Sequence, residues 1–426
     1  MASSILKDLP ELVTQKVISP ETAKDIERYY QGREESGSST LTIFGALGGI
    51  LIGLGIILIF AHNWDDFPRS LKTVLAVLPL ISFQLLTGYT IIKGKSQLWK
   101  ETSGTLLFFS VGAAMALIAQ VYNIPGSTGT FILSWILLCL PLVYILKSNA
   151  LAIIHILLTT EYAVESGYFN PQKPWMYLVF IAAILPFYLK KIQKEPDSNI
   201  VSVLNWLLPL SLVIALGAFL DGVGEFGLPI YIALLSLLYN IGLLPYFRSR
   251  NLGSNGYIIN GLTGMTVLLM LASFKWFWEV LTKTKPSLTF IIVWIAFLGI
   301  SSFILTLSGK KRNIIDKFGL AIFIFPLIYL AGLFSNLLAA VLSNIFILVM
   351  GIAAIRHGMT RYNFSALNFG LVVISILIVC RFFDTNLSFA IRGLLFMLVG
   401  AGFFLANYFL AKKKKSNPEN TLAHEN

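Results

Sequence analysis

Long apolar runs separated by short polar breaks set the pattern of this chain. From about residue 41 onward, stretches of 17 to 24 residues are almost free of charge. About 20 such residues make a helix long enough to cross the roughly 30 Å of hydrocarbon in a bilayer. Runs such as 48–60 and 321–334 are apolar on every face. In lipid each backbone N–H must find its partner within its own segment, and a helix achieves this. A closed β-barrel would show strands of about 10 residues with alternating apolar and polar positions, and that alternation is missing.

The pattern predicts an all-α, polytopic transmembrane helix bundle of about 14 spans. They are expected near 41–61, 69–92, 102–121, 130–147, 149–165, 174–190, 200–220, 228–247, 256–274, 287–307, 314–333, 336–355, 363–380 and 387–410. The segment 149–165 is short and carries His155 and Glu161. If it does not cross, every later loop changes sides. Prolines at Pro79, Pro209 and Pro326 fall within spans and predict kinks. No internal repeat is evident.

The first 40 residues read as a separate unit. Ile5, Leu9, Leu12, Val13 and Val17 recur at helical spacing. Ser19 is then placed to cap a second helix, Pro20 suits its first position and Glu21 faces its positive end. Ala23, Ile26 and Tyr30 continue that stripe. The expected organisation is a cytoplasmic helical hairpin with a linker over 1–40, a membrane bundle over 41–410, and a cytoplasmic polar tail over 411–426.

Composition agrees with this reading. Only 12% of the 426 residues are charged, against about 25% in a soluble domain. The net charge of +11 does not imply nucleic acid, because the bases sit in short loops where they fix topology. With the N-terminus inside, Lys and Arg number 24 on the inner side and 7 on the outer. That asymmetry predicts a multi-pass membrane protein with both termini cytoplasmic. The first apolar block is too long for a signal-peptide core, so no cleavable signal is expected. Cys139 and Cys380 both lie in apolar runs and read as reduced packing residues.

Three stretches carry a likeness to a known family. They are LVTQKVISPETAKDIERYY at 12–30, GILIGLGIILIFAHNWDDFP at 49–68 and AQVYNIPGSTGTFILSWILLCLPLVYILKS at 119–148. Together they resemble the bacterial membrane-protein family called domain of unknown function 2157, and RFFD at 381–384 is similar to it as well. The resemblance implies a polytopic bacterial membrane protein and brings no activity with it.

Motifs of soluble enzymes are absent: the chain holds no P-loop, HExxH or GxSxG. No catalytic residue, metal site or cofactor is expected. Gly45, Gly49 and Gly53 recur every four residues, a ridge suited to close helix packing. The outer ends of the expected spans collect His62, Asp65, Asp66, Glu161, Glu165, Asp221, Glu225, Arg381 and Asp384. These either solvate helix ends or form an outward-facing polar cluster. Arg392 sits about five residues into the last span, roughly 7–8 Å deep at 1.5 Å per residue, so it needs a carboxylate, a wet cavity or a path to the interface. His155, Thr159 and Tyr162 share one face at i, i+4 and i+7, either as a substrate or proton pathway or as groups bonded to neighbouring helices.

Three functions fit the sequence. The first is a secondary transporter or flippase for a small or lipid-linked substrate. The second is a membrane scaffold or sensor, with a cytoplasmic protein partner bound through the N-terminal hairpin. The third is a glycosyltransferase-like membrane enzyme using Asp65 and Asp66, although its first outer loop is short. The bilayer is the expected environment in every case, and the oligomeric state is not legible.

Overall fold

A computed structural model of the chain describes residues 9–10, 12–15, 17–26, 66–170, 172–220, 227–248, 252–283, 288–307, 319–384 and 389–416. The described residues are helical with short connections, and no strand occurs among them. They fall into two units, one drawn from 1–78 and 120–122, the other from 79–119 and 123–426.

Within the first unit, residues 20–26 are helical and Ser19 caps them, its Oγ accepting from the Thr22 N–H at 3.1 Å. The capping residue is the one the sequence indicates. The ridge at Gly45, Gly49 and Gly53, like the span expected over 41–61, lies outside the described residues.

The helices that follow are α1 (Arg69–Ile92), α2 (Gln97–Tyr122), α3 (Thr128–Leu146), α4 (Asn149–Val164), α5 (Trp175–Lys194), α6 (Asn199–Leu220) and α7 (Gly227–Gly242). After a single turn at Pro245–Arg248 come α8 (Gly256–Ala272), α9 (Lys275–Leu281), α10 (Leu288–Leu307), α11 (Ala321–Phe334), α12 (Asn336–Arg361), α13 (Phe364–Asp384) and α14 (Phe389–Ser416). Each span expected within the described residues overlaps one of these helices. Pro79, Pro209 and Pro326 sit inside helices that continue past them.

Fourteen full crossings are not confirmed. Among the described residues, seven helices are long and apolar enough to cross a bilayer, or eight if α8 and α9 count as one bent span. Part of the shortfall is one of length, while the run expected over 41–61 lies outside the described residues and α10 and α14, at 20 and 28 residues, are described only in part. The 14 residues of α11 reach only about 21 Å at 1.5 Å per residue, short of a full hydrocarbon layer. The segment expected over 149–165 is helical over α4 and is lengthened by a π turn at Glu165–Phe169.

Two apolar cores hold the second unit together. One lies around α3 to α6, centred on Ile136, Leu151, Ile156, Tyr177, Phe180 and Leu204. The other joins α7, α8, α9, α11 and α12 through Tyr239, Met265, Trp278, Phe325 and Ile347. Glycines make the tightest crossings. A Cβ on Gly358 would stand 2.5 Å from the backbone N of Leu367 on α13, and one on Gly261 would stand 2.6 Å from the carbonyl oxygen of Leu235 on α7. Close backbone approach at small residues is how helices associate where lipid removes the hydrophobic drive between them. The outward surface is apolar, with Leu85, Leu138, Phe303, Leu327 and Phe404 all exposed. Such a surface is stable against acyl chains and not against water.

Between α8 and α9 the chain bends by 92°. Protein groups satisfy the carbonyls freed at this corner. The Trp278 indole N–H donates to Ala272 O at 2.7 Å, and the Asn344 amide donates to Ser273 O at 2.8 Å. Trp278 is fully buried and stacks on Phe325, with ring centroids 5.7 Å apart.

Candidate functional site

A groove of about 840 Å³ runs between α1, α2 and α3. Its walls follow from side-chain size and spacing. Phe131, Ser134, Leu138 and Leu142 line one face of α3 at intervals of three and four. Small residues of α2, Ala114, Ala116 and Ala119, leave the space opposite them unfilled, and Leu80 and Gln84 of α1 form the third side. Trp135 fixes the spacing of α2 and α3. Its indole N–H donates to Phe108 O at 2.9 Å, and its ring occupies the position that a Cβ on Gly112 would take, 2.4 Å away.

One end of the groove is polar. Asn123 turns the chain out of α2 with φ 50°, and the Ile124–Thr128 connection closes over the groove. Ser127 caps α3 reciprocally with Thr130: each side chain accepts from the other's backbone N–H at 3.2 Å. Ser127, Thr128, Thr130 and Ser134 thus place hydroxyls along the mouth, while Gln84 adds an amide further along. No charged side chain is among the residues lining it. Leu138 is 60% exposed and Gln84 is exposed, so the groove opens sideways on the exterior of the bundle.

A second polar feature ties α2 to the turn between α3 and α4. The Glu101 carboxylate of α2 accepts from the Asn149 N–H at 2.7 Å, the Ala150 N–H at 3.0 Å and the Ser148 hydroxyl, at the first turn of α4. One turn earlier, the Gln97 amide donates to Leu146 O and Lys147 O, both at 3.2 Å, at the end of α3. A carboxylate meets the positive helix end and an amide meets the negative one. The turn between them is tight, with Lys147 left-handed at φ 50°.

The three residues of the expected polar stripe lie on α4. His155, Thr159 and Tyr162 share a buried face. The His155 Nε2 bonds to Phe180 O of α5 at 3.1 Å, and the Tyr162 ring meets the Phe180 ring edge-on at 6.1 Å. The groove and a smaller cavity of about 440 Å³ between α6, α7 and α8 are both lined by other residues. Beside the stripe runs a chain that the sequence did not single out: Thr160 to Ser211 at 2.6 Å, and Ser211 to Tyr177 at 2.9 Å. Its members lie on three helices, and only their packing reveals it.

Four residues of the expected outward cluster have described side chains. Asp66 and Glu161 are exposed. Glu165 is half-buried and accepts from the Asn170 amide at 3.3 Å. Arg381 turns to the α8–α9 corner, donating to Ser273 Oγ at 3.1 Å, with its guanidinium 4.3 Å from the centre of the Phe274 ring. Asp384 ends α13 and Arg392 lies in the second turn of α14, but their side chains are outside the described residues, as are His62, Asp65, Asp221 and Glu225. Among the described residues no group of three or more His, Cys, Asp or Glu could hold a metal. Cys139 and Cys380 are free thiols, the first buried.

An apolar exterior, helices of membrane-crossing length and a neutral groove opening sideways together define a multi-pass helical membrane protein. Residues 10–152 match a family model described as "Predicted membrane protein (DUF2157)". That match takes in the three stretches whose resemblance the sequence shows, and not RFFD at 381–384. It also contains every residue lining the groove. No curated protein and no solved structure matches the chain.

Proposed function

We propose that the protein is a lipid transporter of the flippase type, acting without an ATPase of its own, and that the α1–α3 groove receives one amphipathic lipid. The carrying observation is the groove itself: apolar along its length, hydroxyl-lined at one end, uncharged and open on the side of the bundle. An acyl or prenyl chain meets walls as apolar as the lipid it leaves, so it enters without a desolvation cost, and a few hydroxyls fix a polar head without demanding a counter-ion. The 24 to 7 asymmetry of basic residues supports an orientation with both termini cytoplasmic, and the resemblance to a bacterial membrane-protein family supports the inner membrane as its setting.

The test uses the full chain reconstituted in liposomes with a photoreactive lipid and, separately, a fluorescent lipid whose crossing can be timed. Crosslinks should concentrate on peptides covering α2 and α3. Ser134→Phe, which fills the groove near its polar end, should abolish both the crosslink and the crossing without altering the melting temperature. Crosslinks spread evenly over the bundle, or unaffected by Ser134→Phe, would overturn the proposal.

A further inference from the structure

The corner between α8 and α9 has no part in the groove, and its geometry assigns it a different partner. The 17 residues of α8 rise about 25 Å at 1.5 Å per residue, close to the thickness of the hydrocarbon layer. The chain then turns 92° into α9. If α8 runs near the bilayer normal, α9 lies nearly in the membrane plane at the depth where the hydrocarbon ends. A re-entrant reading of the same bend would bring α9 back into the hydrocarbon, and the side chains of α9 decide against it. Lys275 and Glu279 form an ion pair at 3.1 Å whose side chains are 59% and 46% exposed. Two charges with that much open surface are not tolerated among acyl chains, where charged groups face protein or water. Trp276, beside them, is 52% exposed. A ring with one apolar body and one N–H is enriched at the headgroup boundary. Arg381 provides a third charge at this level, through its bond to Ser273 and its position over Phe274.

We propose that α9 is an in-plane interfacial helix seated in the headgroup layer, with Trp276 and the Lys275–Glu279 pair in contact with phospholipid. Its underside is held by Trp278 and Leu281, both fully buried, so the helix cannot lift away without opening the second core. The corner therefore fixes the depth of the surrounding bundle in the bilayer.

Depth-dependent fluorescence quenching tests this on the full chain in phospholipid vesicles, with Cys139→Ala and Cys380→Ala removing the native thiols. An environment-sensitive probe is placed on Trp276→Cys or on Glu279→Cys, and Val267→Cys, exposed on α8, serves as the hydrocarbon reference. Probes at positions 276 and 279 should be quenched more strongly by a headgroup spin label than by one deep in the acyl chain, with the reverse at position 267. Two results overturn the proposal. Quenching at 276 and 279 that follows the acyl-chain label makes α9 re-entrant, and quenching only by a water-soluble agent places it clear of the membrane. The two positions are independent, so a misfolded Trp276→Cys leaves the Glu279→Cys measurement to decide.

Discussion

Replacing Glu101 should unfasten the α2–α3–α4 corner. In Glu101→Ala the Asn149 and Ala150 N–H groups and the Ser148 hydroxyl lose their acceptor together. Hydrogen bonds to a charged acceptor contribute about 1.5–3 kcal/mol each when buried. Asn149 and Ala150 are only half-buried, so water recovers part of that loss. Losing a helix cap costs about 1 kcal/mol, and the charge at the helix end contributes about 0.3–1 kcal/mol more. The expected total is about 2–4 kcal/mol for Glu101→Ala. For Glu101→Gln, which keeps one carbonyl oxygen but sets an NH₂ against a donor, it is roughly half as much. Ser148 both caps α4 through the Leu151 N–H at 3.1 Å and donates to Glu101, so Ser148→Ala removes a member of the same network. The two substitutions should therefore be non-additive, with a coupling of roughly 0.5–3 kcal/mol. The assay follows a thiol-reactive fluorophore in detergent as the protein is heated, in a Cys380→Ala background, because Cys139 is 1% exposed and reacts only when the α3–α6 core opens. Equal midpoints for Glu101→Ala and the native protein would refute this account. So would strict additivity with Ser148→Ala.

Two further perturbations should separate according to local space. Gly358→Ala forces a methyl to within 2.5 Å of the α13 backbone and should cost about 1–3 kcal/mol, whereas Gly88→Ala in α1 meets nothing within 4 Å and should stabilise by about 0.5–1 kcal/mol; the same thermal assay reads both, and equal effects would contradict the glycine argument. Trp278→Phe deletes the donor to Ala272 O and should cost about 1–3 kcal/mol, with faster hydrogen exchange confined to the α8–α9 corner. Exchange that stays native-like there would show that the indole bond does not hold the bend.

Much of the helical layout is legible in the sequence for one physical reason. A segment that must satisfy its backbone in lipid has to be apolar over its whole length, so hydropathy alone marks it. That is why the expected 69–92 and 149–165 agree so closely with α1 and α4, and why Ser19 could be named as a cap from its neighbours in the chain. Lengths were less legible. The run expected over 228–247 yields a helix that ends at Gly242, because hydropathy does not report where a backbone leaves the helix.

The site was legible only as fragments. Ser127, Thr130 and Ser134 fall in a stretch whose family resemblance could be read, yet nothing local says that they edge a groove. A groove is space left where three helices fail to meet, and that depends on alanines of α2 facing a spaced row on α3 across a gap set by Trp135. The clamp of Gln97 and Glu101 on the α3–α4 turn is equally non-local, joining residues 47 to 50 positions apart. The sequence by itself determined that this chain lives in a bilayer, since that depends on composition along each segment. Tertiary structure alone decided which polar groups meet, since that depends on how helices rotate and cross.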